Sequence, residues 1–117
     1  MVAAPESNLD RLLRTKECRE CDFSDSRELT GRDLSGVDLT GANLSGALLY
    51  HTNFSGADLS RVLFDHSNMQ RVDLTGAKLE GASFIAADLT RATVASFSGA
   101  ATDSSTICPA GTAGPCK

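Results

Sequence analysis

From Leu29 onward the apolar residues of this chain recur every five positions. The run is Leu29, Leu34, Leu39, Leu44, Leu49, Phe54, Leu59, Phe64, Met69, Leu74, Leu79, Phe84, Leu89 and Val94. All fourteen are hydrophobic in a chain that is 41% hydrophobic overall, so the period is real. The neighbours repeat with them. Two residues before the centres stand seven alanines, three valines, Thr52 and Ser67. The residue before the centre is Asp or Asn in eight of fourteen cases, and the residue after it is Ser or Thr in eight. Two residues after it, seven are Gly, and the stretch GVDLTGANLSGA from Gly36 to Ala47 shows the pattern most clearly.

A spacing of five matches neither the 3.6-residue period of a helix nor the two-residue alternation of a strand. A continuous helix scatters these centres around its whole circumference, and a continuous strand sends every other one into water. The pattern predicts a chain that turns after each short extended piece, with Gly supplying backbone angles that other residues resist. One such unit cannot bury its own leucine. Stacked copies can, so the fold class is an all-β solenoid.

The A-(D/N)-L-(S/T)-G units, over roughly residues 29–96, resemble the pentapeptide repeat family. The resemblance implies a right-handed quadrilateral β-helix of about four coils, with one pentapeptide per side. It also implies that the centre and the small residue two before it point inward, while the other three face solvent. Residues twenty apart then share a column, so Leu44, Phe64 and Phe84 are expected in one inner file where phenylalanine rings can stack.

Open solenoid ends expose apolar side chains and unpaired edges. The sequence predicts a short N-terminal α-helical cap: Ser7 is a candidate N-cap with Asp10 three residues on, and Leu9, Leu12 and Leu13 follow at helical spacing. The expected organisation is a disordered 1–7, a capping segment at 8–17 with its helix over 8–16, a β-helix over 18–100, and an irregular tail over 101–117. Cys18, Cys21 and Phe23 continue the five-residue logic in another phase. The six-residue step from Phe23 to Leu29 therefore requires one bulged residue. Arg27 and Arg32 fall on formally inward positions, where an unpaired charge is costly. They are expected at the rim, paired with Asp25, Glu28 or Asp33. Phe97 is a candidate lid on the last coil.

Charge and chemistry narrow the function. The chain has 117 residues, a net charge of −4 and no tryptophan. That balance argues against direct nucleic-acid binding through a basic surface, and no apolar run is long enough for a transmembrane segment. Cys18 and Cys21 form a C-x-x-C pair, expected here as buried thiols rather than an exposed redox centre. Cys108 and Cys116 bracket a Pro/Gly-rich loop and are a candidate disulfide in an oxidising compartment. The two pairs lie at opposite ends, which disfavours a four-cysteine zinc site. His51 and His66 read as surface residues standing where the repeat has Gly. No catalytic, cofactor-binding or metal-binding set is predicted, and no phosphate loop is present.

The outward columns carry the remaining signal. Leu48, Tyr50 and His51 depart together from the repeat, with Arg71 and Arg91 stacked above His51, an aromatic and arginine composition suited to an interface hot spot. Asp88 is the carboxylate expected beside them. The sequence therefore predicts a non-catalytic structural or protein-interaction module whose candidate surface is Leu48, Tyr50, His51, Arg71 and Arg91. The partner is expected to be another protein, and the module a monomer or an end-to-end dimer. Two other readings stand beside it. The stacked acids (Asp38 and Asp58; Asp33, Asn53 and Asp73) resemble, in a short form, the DNA-mimicking family members that bind DNA gyrase. The C-x-x-C pair is compatible with a thiol redox protein. The compartment is read as periplasm or thylakoid lumen if a signal peptide has been removed, and otherwise as cytoplasm.

Overall fold

The computed structural model describes residues 6–117. One helix, α1 (Asn8–Thr15), precedes a coil in which each residue before a centre pairs in parallel with the equivalent residue of the next coil. The pairs run Asp33 to Asn53 to Asp73 to Thr93, a step of 20 residues, or four five-residue sides per coil. We call the sides 1 to 4, centred respectively on Leu29/Leu49/Met69/Leu89, Leu34/Phe54/Leu74, Leu39/Leu59/Leu79 and Leu44/Phe64/Phe84. Each side contributes single bridged residues rather than extended strands, so the coils of the solenoid are joined by isolated parallel bridges and not by a continuous sheet. The reason is geometric: a chain that turns every five residues has room for only one paired residue per side.

The centres face inward. Thirteen of the fourteen are buried, and Val94 is half-buried, which corrects its placement as a full core residue. Phe64 and Phe84 lie in one file, their rings stacked at 5.0 Å and 7° apart. Phe54 meets Phe64 from the opposite side at 6.1 Å. Phe97 packs edge-on to Phe84 at 5.6 Å and closes the column from above. The small residues beside the centres let these rings fit. Where that inward residue is polar it is satisfied: buried Thr52 donates to the Leu29 carbonyl at 2.7 Å, and Ser67 to that of Phe64 at 2.6 Å.

The Asp/Asn column has a physical cause. Coil-to-coil hydrogen bonds use the amides of the centre and of the residue two after it, and leave the amide between them free. The Asp or Asn side chain accepts from that amide, as Asp33 does from Ser35 at 3.0 Å and Asn53 from Ser55 at 2.9 Å. The hydrogen bonds from Ser35 hold the Asp33 carboxyl below its usual value, and those from Thr75 do the same for Asp73. A carboxyl lowered on folding stabilises the fold fully above its unfolded pKa of about 3.9 and loses that contribution as pH falls through the folded value. Asn keeps the cap without titrating, as Asn43, Asn53 and Asn68 show. An Asp33→Asn, Asp73→Asn double variant is therefore expected to retain stability at neutral pH. In acid titrations followed by circular dichroism, it should lose less stability than the parent below about pH 4.

Both ends differ from the sequence expectation. Ser7 caps α1 by accepting from the Asp10 amide, and the helix stops at Lys16, whose φ of 62° is left-handed. The helix is thus shorter than residues 8–16. Of the segment expected to be disordered, residues 1–5 lie outside the described residues. Glu6 and Ser7 are tied in, Glu6 by both carboxylate oxygens to Arg14. Leu12 is buried and Leu9 half-buried over the first coil. The bulge between Phe23 and Leu29 shows as a step of 21 residues, Glu17 to Asp38 and Asp22 to Asn43, where later coils step 20. Arg27 is exposed and Arg32 half-buried. Arg32 donates to the Glu28 carbonyl, and among the described residues neither arginine pairs with a carboxylate, because the rim leaves both solvated.

The tail is not irregular throughout. Ala101 bridges Ser83 and Ile107 bridges Asp88, so part of it adds a further layer to sides 4 and 1. Buried Thr106 fills an inward position and donates to the Phe84 carbonyl at 2.9 Å. Ile107 then pairs antiparallel with Ala113 in a loop that the Cys108–Cys116 disulfide closes.

Candidate interaction face

The turn residue two after each centre from Leu29 to Leu89 adopts a left-handed conformation. Glycine occupies it without steric cost. After side 2 the corner is glycine throughout, at Gly36, Gly56 and Gly76. The two corners that flank side 1 start with glycine, at Gly46 and Gly31, and carry other residues on the later coils. His66 and Ala86 precede it at φ 61° and 60°, and His51, Arg71 and Arg91 follow it at 61°, 60° and 62°. A left-handed conformation costs a non-glycine residue about 1–2 kcal/mol, and such strain concentrates where a side chain has a use.

Side 1 departs from the repeat in its outward residues as well. Leu48 stands where an Asp or Asn caps, Tyr50 where Ser or Thr is usual, and His51 where Gly is usual. Leu48 is 37% exposed and Tyr50 38%. The Tyr50 and His51 rings meet edge-on at 4.3 Å. Coil-to-coil bonds from His51 to Gln70, Arg71 to Thr90 and Arg91 to Pro109 place the three corner residues on successive coils. The structure thus brings Tyr50 and His51 together and aligns Arg71 and Arg91 above them. Among the described residues the carboxylate of Asp88 makes no ion pair with Arg71 or Arg91. It accepts from Thr90 and from the Gln70 amide.

Two exposed apolar residues escaped the sequence reading. Leu63 on side 4 and Ile107 above side 1 are 41% and 39% exposed. Leu63 carried a signal, because it occupies an Asp/Asn position just as Leu48 does. Ile107 carried none, since the tail does not keep the five-residue step. Sides 1 and 4 thus hold four of the five large exposed apolar residues among those described, the fifth being Leu13 on α1.

The pentapeptide repeat model matches residues 28–65 and 67–100, in eight copies. The chain belongs to the pentapeptide repeat family. Proteins of this family form right-handed quadrilateral β-helices and are generally non-catalytic structural modules. Among solved structures, the chain is similar to the pentapeptide repeat protein Rfr23 from the cyanobacterium Cyanothece 51142. Identity is 22%, over 86% of this chain and 97% of that one, with a TM-score of 0.65. It is also similar to a pentapeptide repeat protein from Nostoc PCC 7120, at 23% identity over 94% and 85% of the two chains and a TM-score of 0.56. A third likeness, at 22% identity and a TM-score of 0.57, is to QnrB1, a plasmid-mediated fluoroquinolone resistance protein, over 77% of this chain and 52% of that one. These identities speak for the fold alone. No curated protein matches the sequence.

Within this pentapeptide repeat fold the cysteines are corrected in one respect. Cys18 and Cys21 are buried, but they form a disulfide instead of remaining thiols. Both sulfurs turn into the same end of the tube beneath α1, which brings them within bonding reach. Cys108 and Cys116 form the second disulfide. With all four sulfurs bonded in pairs, no thiolate is available for a four-cysteine metal set. Among the described residues no helix is long and apolar enough to cross a membrane.

Proposed function

We propose that this pentapeptide repeat chain is a non-catalytic, right-handed, four-sided rod that binds another protein through side 1. Leu48, Tyr50, His51, Arg71 and Arg91 form the contact surface, with Ile107 extending it. The observation that carries the reading is the 48–51 segment. All three of its outward positions depart from the repeat, and the neighbouring corner holds strained residues at positions that accept glycine elsewhere. A rigid backbone supports such a surface, since its side chains are held at fixed spacing and lose little freedom on binding. Two disulfides suit an oxidising compartment such as a periplasm or thylakoid lumen. Both ends are covered, by α1 and by the tail, which suits a monomer.

The gyrase-mimic reading gains less support. Its acidic column on side 3 reads Asp38, Asp58 and then Lys78, and Arg19 pairs with Asp38 at 2.8 Å. The redox reading requires an accessible sulfur, yet Cys18 is fully buried and Cys21 is 7% exposed.

The test is affinity capture from a lysate of the source cells with the immobilised chain. A Leu48→Ala, Tyr50→Ala variant should lose a captured protein by about tenfold, as expected when hot-spot residues are truncated. The control variant Ser55→Ala, Thr75→Ala on side 2 should retain it. Equal capture by both variants removes side 1 as the interface.

A further inference from the structure

We propose that the His51–Arg71–Arg91 corner receives an acidic, extended segment of a partner protein laid along the coil axis. This rests on the reading of side 1 as the interface and adds the chemistry of what it binds. The three residues stand on successive coils, about 4.8 Å apart at the spacing of paired strands. They form a line of donors parallel to the axis. Among the described residues neither guanidinium makes an ion pair, and all three side chains are exposed. The neighbouring acids point their oxygens at neutral donors and not at these arginines, Asp88 at Thr90 and Gln70, and Asp73 at the Thr75 amide.

Comparison with the corner after side 3 shows why this line is unusual. There Arg61 folds over Gly81, where an added Cβ would stand 3.0 Å from its Cγ, and Glu20 covers Gly41 in the same way. A long left-handed side chain thus rests on the glycine of the next coil. At the corner of side 1 the residue above Arg71 is Arg91, so that shelf is absent. Stacked like charges repel one another, and an anionic partner relieves this. Glycine at these positions removes both the strain and the repulsion. The residues present do the opposite, as stability given up for binding would require.

The occupant is a polypeptide rather than a nucleic acid. The cationic line is one residue wide. Beyond it, side 2 presents Asp33 and Asp73, and the whole chain is net negative, which opposes a broad phosphate backbone. On its other flank Leu48, Tyr50 and Ile107 are exposed, offering apolar contact to alternate side chains of an extended segment.

The probe is a short fluorescein-labelled peptide of Glu-Ser-Glu-Leu repeats, titrated by anisotropy against the whole disulfide-bonded chain. Saturable binding is expected, weakening as salt rises. Arg71→Gly with Arg91→Gly should weaken it by about tenfold, while melting no lower than the parent, because glycine suits these backbone angles. Arg61→Gly should leave the peptide affinity unchanged. An equal loss with Arg61→Gly, or no saturable binding at millimolar peptide, overturns the proposal. Tighter binding of a DNA duplex than of the peptide also overturns it, in favour of a phosphate ligand. The two readings fail separately. If the glycine pair keeps the protein that Leu48 and Tyr50 capture, the interface stands and the acidic segment falls. If Leu48→Ala, Tyr50→Ala keeps that protein while the peptide still needs Arg71 and Arg91, side 1 falls as the interface instead.

Discussion

Replacing Phe64 with alanine should cost this protein about 3–5 kcal/mol, the range for removing a buried aromatic ring. Phe64 is fully buried and touches aromatic neighbours from two directions, Phe84 stacked at 5.0 Å and Phe54 across the tube at 6.1 Å. The cavity cannot collapse easily, because the surrounding backbone is pinned coil to coil by hydrogen bonds on every side. Small domains hold only about 5–15 kcal/mol in total, so one such change takes a large part of it. Urea denaturation measures the effect: the midpoint should drop sharply in the variant. A loss below about 1 kcal/mol means that the aromatic file does not carry the core.

The second large effect is expected at the other end of the tube. Leu12→Asp replaces the buried residue of α1 with a charge that has no partner there. The lost packing alone is worth about 2–5 kcal/mol, and the helix is expected to lift from the first coil. Its removal uncovers Cys18, whose sulfur lies 3.6 Å from the Asn8 carbonyl, and the edge of the first coil. An uncovered edge with an apolar lining pairs with other copies. Light scattering after size-exclusion chromatography should therefore show concentration-dependent association for Leu12→Asp and none for Leu13→Asp, whose side chain is already exposed. If both variants behave alike, α1 is not the seal.

The sequence carried the interior well. The five-residue step predicts a solenoid with its centres inside, and the resemblance to the pentapeptide repeat family implies four units per coil, which together place Leu44, Phe64 and Phe84 in one file with Phe97 as a candidate lid. The bulge before Leu29 was legible for the same reason, as an extra residue in an otherwise strict count. The tail was not. It rejoins sides 4 and 1 after 18 and 19 residues instead of 20, Ser83 to Ala101 and Asp88 to Ile107, so a search in fives passes over it. The state of Cys18 and Cys21 was also hidden, because spacing shows that two sulfurs can meet and not whether they are bonded. The residues of the proposed interface were half legible. Leu48 and Tyr50 stand out against a regular background, whereas the strain at His51, Arg71 and Arg91 appears only with the backbone angles.

The constant step of 20 residues between Asp33 and Thr93 limits how such a rod changes length. An insertion of five residues between Tyr50 and Arg71 rotates everything after it by a quarter of the circumference, carrying Arg71 and Arg91 away from Tyr50. An insertion of twenty lengthens the molecule by one storey and leaves each surface facing as before. Growth that preserves a binding face therefore comes in whole turns.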